Sequence, residues 1–217
     1  MKKLLSIILL FSIINLYGQS ELAKDKISAI MKNMESIPAY NCDVVIKIDV
    51  KFIKIKDRIG KMFYSSPTEI DYKINGFAFL PKKEMMATSN DLFKSEFIAL
   101  DLGQQEVDSY NCNVIKVIPM DIESEIVTGQ FWINNNSLIH KMTIITKDKG
   151  SYSANFKYGN ISYDLPIEIV MSFDVKDQKI PALLSGDLEG YTEEIDNTEN
   201  EISKGKITIN YSNHIFN

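Results

Sequence analysis

Arginine is almost missing from this chain: of 24 basic residues, Arg58 is the only one that is not lysine. Guanidinium grips phosphate and carboxylate through two parallel bonds, so a phosphate-handling site has little to build on. Histidine is nearly as scarce, with His140 and His214 alone, and the only cysteines are Cys42 and Cys112. No His-Glu-x-x-His, Gly-x-Ser-x-Gly, phosphate-loop or Cys-x-x-Cys pattern occurs, which removes the common signatures of zinc, serine-nucleophile, nucleotide and thiol chemistry. A carboxylate could still act as a base, but no pair of acids stands out. With a formal charge of −5 the chain also lacks the positive surface that drives nucleic-acid binding. The expectation is a non-enzymatic protein with no cofactor, no metal and no nucleic-acid partner.

What is present begins with an address. Met1–Gln19 has a cationic start at Lys2 and Lys3, an apolar run from Leu4 to Tyr17, and small or polar residues at Gly18-Gln19. That pattern predicts a signal peptide over 1–19, cleaved near Gly18-Gln19, and a periplasmic or secreted product. The run falls short of the ~20 residues of a comfortable membrane span, although a permanent N-terminal anchor is the other reading. No cysteine follows it to accept a lipid. The remainder, 20–217, is long enough to bury a real core as one domain.

Ser20–Ile37 reads as a helix. Ile27, Ile30, Met31 and Met34 fall on one stripe, and Pro38 ends it. The chain then changes period. From Asn41 to Ile55, Cys42, Val44, Ile46, Ile48, Val50 and Phe52 alternate with polar residues, as in a strand with one wet face. Further strands are predicted at 59–66, 69–75, 77–80, 110–118, 128–134, 138–146, 152–158, 165–175 and 206–211. Pro67, Asn75-Gly76, Asn134–Ser137 and Lys147–Gly150 act as breaks or turns between them. Residues 82–106 are less regular, and a short middle helix over about 90–100, carrying Phe93, Phe97 and Leu100, is the preferred reading there. The resulting class is α+β: a curved antiparallel sheet of nine or ten strands, lidded by an N-terminal and a middle helix.

The stretch 176–204 interrupts the strands, and within it 187–201 carries seven acids and no Lys or Arg. It reads as a solvated acidic loop that could face a partner; it lacks the regular spacing of a calcium loop. Each cysteine ends a Tyr-Asn-Cys triplet, at 40–42 and 110–112. An oxidising compartment permits a disulfide, worth roughly 4 kcal/mol for a ~70-residue loop; two buried thiols are the alternative. His140 shares its phase with Leu138, Met142 and Ile144 and reads as a satisfied core residue, whereas His214 reads as exposed.

Bulky apolar groups are plentiful, with 11 Phe, 10 Tyr and 9 Met. Methionine suits surfaces that accept varied apolar ligands. Candidates for the wall of a hydrophobic cavity are Met62, Tyr64 and Tyr72 on the early strands and Phe77, Phe79, Met85 and Met86 around the predicted hairpin. Trp132, Ile169, Met171 and Phe173 are the candidates in the second half.

The order Gly60, Pro67, Tyr72, Gly76, Pro81 after an amphipathic helix and a long strand resembles the LolA-like family of periplasmic lipoprotein carriers. Tyr110–Pro119, Gln130–Asn134, Leu138–Met142, Gly150, Leu165-Pro166 and Gly205–Asn213 are similar to the strand pattern of outer-membrane lipoprotein-sorting proteins. The resemblance implies an incomplete antiparallel barrel whose helices cover a cavity for acyl chains. It also implies a lipid or acylated protein as partner, held by a monomer. A sensory or interaction module contacting a membrane-associated protein is the rival it allows. One departure matters. The family's Pro-x-x-Phe-Arg-Trp segment corresponds to Pro67-Thr-Glu-Ile70-Asp71-Tyr72 here, so Asp71 reverses the charge of the arginine that helps hold the carrier's lid.

Overall fold

In a computed structural model, residues 21–50, 56–74, 92–93, 96–147, 150–175 and 203–217 are described. The predicted signal segment, the Asn75-Gly76 hairpin and the acidic stretch 187–201 lie outside them. Helix α1 covers 21–35 and buries Ala23, Ile27 and Ile30, with Met31 and Met34 beside them. Ser36 closes it: its Oγ donates to the Asn33 carbonyl at 2.7 Å and its N–H to the Lys32 carbonyl. These bonds satisfy carbonyls that a helix end otherwise leaves bare.

Ten strands follow among the described residues: β1 (Tyr40–Asp49), β2 (Arg58–Ser66), β3 (Glu69–Ile74), β4 (Phe97–Val107), β5 (Tyr110–Pro119), β6 (Ile126–Ile133), β7 (Ile139–Thr146), β8 (Ser151–Tyr158), β9 (Pro166–Val175) and β10 (Ser203–Phe216). They form one sheet in the order β3-β2-β1-β10-β9-β8-β7-β6-β5-β4, with every neighbour antiparallel. The sheet is not closed: β3 and β4, consecutive in the chain, are its opposite edges.

The register sorts side chains onto two faces. A row runs across the inner face from Ile48 through Ile207, Met171, Ala154, Met142 and Phe131 to Ile115. The parallel row on the outer face holds Lys47, Thr208, Val170, Asn155, Lys141, Trp132 and Val114. The inner rows and α1 together form the main hydrophobic core. Phe173 belongs to it in a particular way: it faces Gly205 across β9 and β10, and a Cβ on Gly205 would sit 2.4 Å from the Phe173 ring.

The predicted middle helix is corrected. Leu92 and Phe93 are helical, but from Phe97 the chain is strand β4, paired to β5. The spacing of Phe93, Phe97 and Leu100 imitates a helical stripe, whereas Ala99 is fully buried between the exposed Ile98 and Leu100, which is strand alternation. The turn that makes this hairpin is Asp108-Ser109, both at positive φ (48° and 68°), as a two-residue primed turn needs. Without the usual glycine it leaves little mark in the sequence. Asn134–Ser137 is a turn as expected: the Asn134 side chain accepts the N–H groups of Asn136 and Leu138 at 2.9 and 3.0 Å.

Candidate ligand cavity

A cavity of about 340 Å³ lies between the C-terminal half of α1 and the inner face of the sheet. Ile30, Met34 and Ile37 contribute from the helix side, Met62, Tyr64 and Ile70 from β2 and β3, and Ile139, Met142 and Ala154 from β7 and β8. Ile169, Met171, Ile209 and Tyr211 complete the floor. Ile70 and Ile139 stand on strands six places apart in the sheet. In a flat sheet that is ~29 Å, far more than so small a hollow spans, so the sheet is curled around it. The volume is at the small end of ligand pockets.

The lining is apolar with a few polar groups. Tyr64 Oη donates to the Met34 carbonyl at 3.1 Å, tying β2 to the end of α1, and Tyr158 Oη donates to the Ile139 carbonyl at 2.8 Å. Tyr40 stacks on Tyr64, ring centres 5.0 Å apart. Burial pushes the Tyr64 hydroxyl up to about 12 and raises those of Tyr40, Tyr158 and Tyr211 as well, so all four stay neutral. The Tyr211 hydroxyl is enclosed near that of Tyr72 but makes no well-formed hydrogen bond. Asn33, Ser36, Tyr163 and Asp164 both line the cavity and are solvent-exposed, which marks its mouth. Tyr163 and Asp164 sit there in a 3₁₀ turn, Ser162–Asp164, at φ 66° and 48°.

Of the sequence candidates, Met62, Tyr64, Ile169 and Met171 line the cavity. Tyr72 is half-buried against the core without lining it, and Phe173 is spent on Gly205. Trp132 points the other way. It lies on the outer face in a small cluster with Cys112 and Val114, its Nε1 donating to Gln105 at 2.7 Å and Lys141 Nζ 4.6 Å from its ring. Phe77, Phe79, Met85 and Met86 lie outside the described residues. Sequence reasoning missed the helix-derived wall and the β7–β8 wall. Met34 and Met142 carried a usable signal, being methionines on the apolar phases of α1 and β7.

Cys42 and Cys112 are both free and buried, Cys42 in the main core and Cys112 in the outer cluster, so no bridge joins them. Burial pushes the Cys42 thiol up to about 12, and neighbouring Asp43 adds to this; burial raises Cys112 too. His140 is a satisfied buried residue, its Nε2 2.9 Å from Asn134 Nδ2 and its ring stacked on Tyr110 at 4.0 Å. His214 is half-buried, not exposed, because it lies against Tyr40 at 5.6 Å. Among the described residues no three His, Cys, Asp or Glu side chains gather as a metal site, and no helix is long and apolar enough to cross a membrane.

No protein-family model matches the chain, and no curated protein matches it. Solved structures do. A LolA superfamily protein from Nitrosomonas europaea superposes with a TM-score of 0.55 at 13% identity, covering 88% of this chain and 93% of that one. A DUF1329 family protein from Desulfovibrio piger gives 0.60 at 10% identity, over 91% and 93%. An outer membrane lipoprotein-sorting protein domain from Vibrio parahaemolyticus, described as putative, gives 0.53 at 10%, over 91% and 93%. The fold is LolA-like, as the sequence resemblance implied.

Proposed function

We propose that this chain is an exported, non-enzymatic protein that binds a lipid, an acyl chain or the acyl chain of a lipoprotein in the cavity beneath α1. The observation that carries the reading is the cavity itself: an apolar hollow left open at the centre of the inner face, where close packing is the norm. Its small volume and apolar lining suit one alkyl chain, each buried methylene of which contributes ~0.8 kcal/mol. The LolA-like fold supports the reading, since one of the similar structures is described as a putative outer membrane lipoprotein-sorting protein domain. The predicted signal segment, 1–19, supports export to the periplasm or beyond. Delipidated protein titrated with an uncharged, polarity-sensitive alkyl dye should show a saturable rise in emission that a monoacylglycerol reverses. A flat titration at tens of micromolar, the low-affinity end of a useful carrier, would contradict the proposal.

One observation favours a second reading, that of a module docking a membrane-associated protein. Ile98 and Leu100 on β4, Val127 beside β6's outer row and Ile145 on β7 leave large apolar groups in water on the outer face. Exposed apolar groups gathered on one face mark contact surfaces more often than scattered ones do. If that reading were the right one, Ile145→Glu would abolish partner capture and leave dye binding unchanged.

A further inference from the structure

Among the described residues, the cavity's lining carries charge of one sign only. Among the described residues of its lining, Asp164 is the only charged side chain, and no Lys, Arg or His joins it. Asp164 is exposed at the mouth. The end of α1 that reaches the cavity, through Asn33, Met34 and Ser36, is its C-terminus, where backbone carbonyls accumulate partial negative charge. The two tyrosine hydroxyls with assigned partners, Tyr64 and Tyr158, spend their hydrogens on the carbonyls of Met34 and Ile139. What they have left to offer is lone pairs. Charge and helix dipole therefore agree, and the mouth repels anions.

We infer that the cavity selects amphiphiles by head group, taking a single alkyl chain that ends in a cationic or neutral hydrogen-bond-donating group — an ammonium, amide or hydroxyl — and discriminating against free carboxylates and phosphate monoesters. This rests on the proposed binding of an alkyl chain and adds the chemistry of the group that remains at the mouth. Because Asp164 is exposed, solvent and salt temper its field. The expected discrimination is about tenfold at low ionic strength, shrinking as salt is raised.

The test is competition for the bound uncharged dye by three ligands with one tail: dodecylammonium, N-dodecanoylethanolamine and dodecanoate, each below its micelle concentration. The expected order is dodecylammonium first, N-dodecanoylethanolamine next and dodecanoate last, about tenfold weaker than the neutral ligand. Asp164→Asn should narrow that gap to about threefold or less, with most of the change carried by the charged ligands. Asn tolerates the positive φ at this position as Asp does, so the variant keeps the turn. Equal competition by all three ligands, or a gap that Asp164→Asn and added salt leave untouched, would overturn the head-group inference while dye binding stands. Failure of the dye and all three ligands to bind would instead remove the proposed function, and the inference with it.

Discussion

The same tripeptide occurs twice and meets opposite fates. Tyr40-Asn41-Cys42 opens β1 with Tyr40 and Cys42 turned into the main core, in phase with Val44 and Ile46 behind them. Tyr110-Asn111-Cys112 opens β5, but there the residues of the inner face are Ile115 and Val117, of opposite parity. Tyr110 and Cys112 therefore fall on the outer face, Cys112 beneath Trp132 and Tyr110 half out in water. Each tyrosine leans on one of the two histidines: Tyr40 on His214 at 5.6 Å, Tyr110 on His140 at 4.0 Å. Local sequence chose strand in both places. Which face a strand buries was decided further along it, by the parity of the next apolar residues.

That contrast can be broken experimentally, and the largest effect belongs to the inner face. Ile139→Trp, which places an indole in the cavity, should weaken dye binding by more than about tenfold with the fold retained, as read by fluorescence titration and circular dichroism. Trp132→Ala on the outer face should do the reverse. It empties a buried site and removes the Gln105 and Lys141 contacts, lowering stability in urea by about 3 kcal/mol while dye affinity is unchanged.

The two thiols sharpen the comparison on a smaller scale. Both are inaccessible and held protonated, so neither should react with an alkylating reagent in the native state. As urea is raised, Cys112, in a cluster of three buried residues, should be modified before Cys42, which opens only with the main core. Mass spectrometry of labelled peptides reads the order directly. The smallest effect is that of pH. Burial depresses both histidines, with Asp108 partly opposing it at His140. The unfolded chain therefore takes up protons that the folded chain refuses. Stability should be full above the ordinary histidine range near ~6.5 and decline gently as pH falls through it. His140→Gln should flatten part of that slope in pH-resolved urea melts.

Most strands were legible because their alternation is clean, as in β1, β7 and β9, or because Asn134–Ser137 and Pro67-Thr68 punctuate them. Strand β4 was not, since Asp108-Ser109 folds a primed turn without glycine and the spacing of Phe93, Phe97 and Leu100 fits a helix as well. The site was half legible. Met62, Tyr64, Ile169 and Met171 follow from strand phase, but Trp132 was misplaced because aromatic bulk carries no information about face. Met34 and Met142 were legible as apolar positions of α1 and β7, but that the two walls face one cavity could not be read from either element alone. They meet only because the sheet curls, and curl is a property of ten strands together.

The central claim is that the hollow under α1 stays open for an alkyl guest. Methyl-labelled methionine offers the most direct view, because Met34, Met62, Met142 and Met171 line the cavity while Met120 stands exposed elsewhere. Titrating N-dodecanoylethanolamine into the protein should shift the four cavity methyl resonances along one saturating curve and leave Met120 in place. Four unmoved cavity methyls, or a shift confined to Met120, would contradict the account.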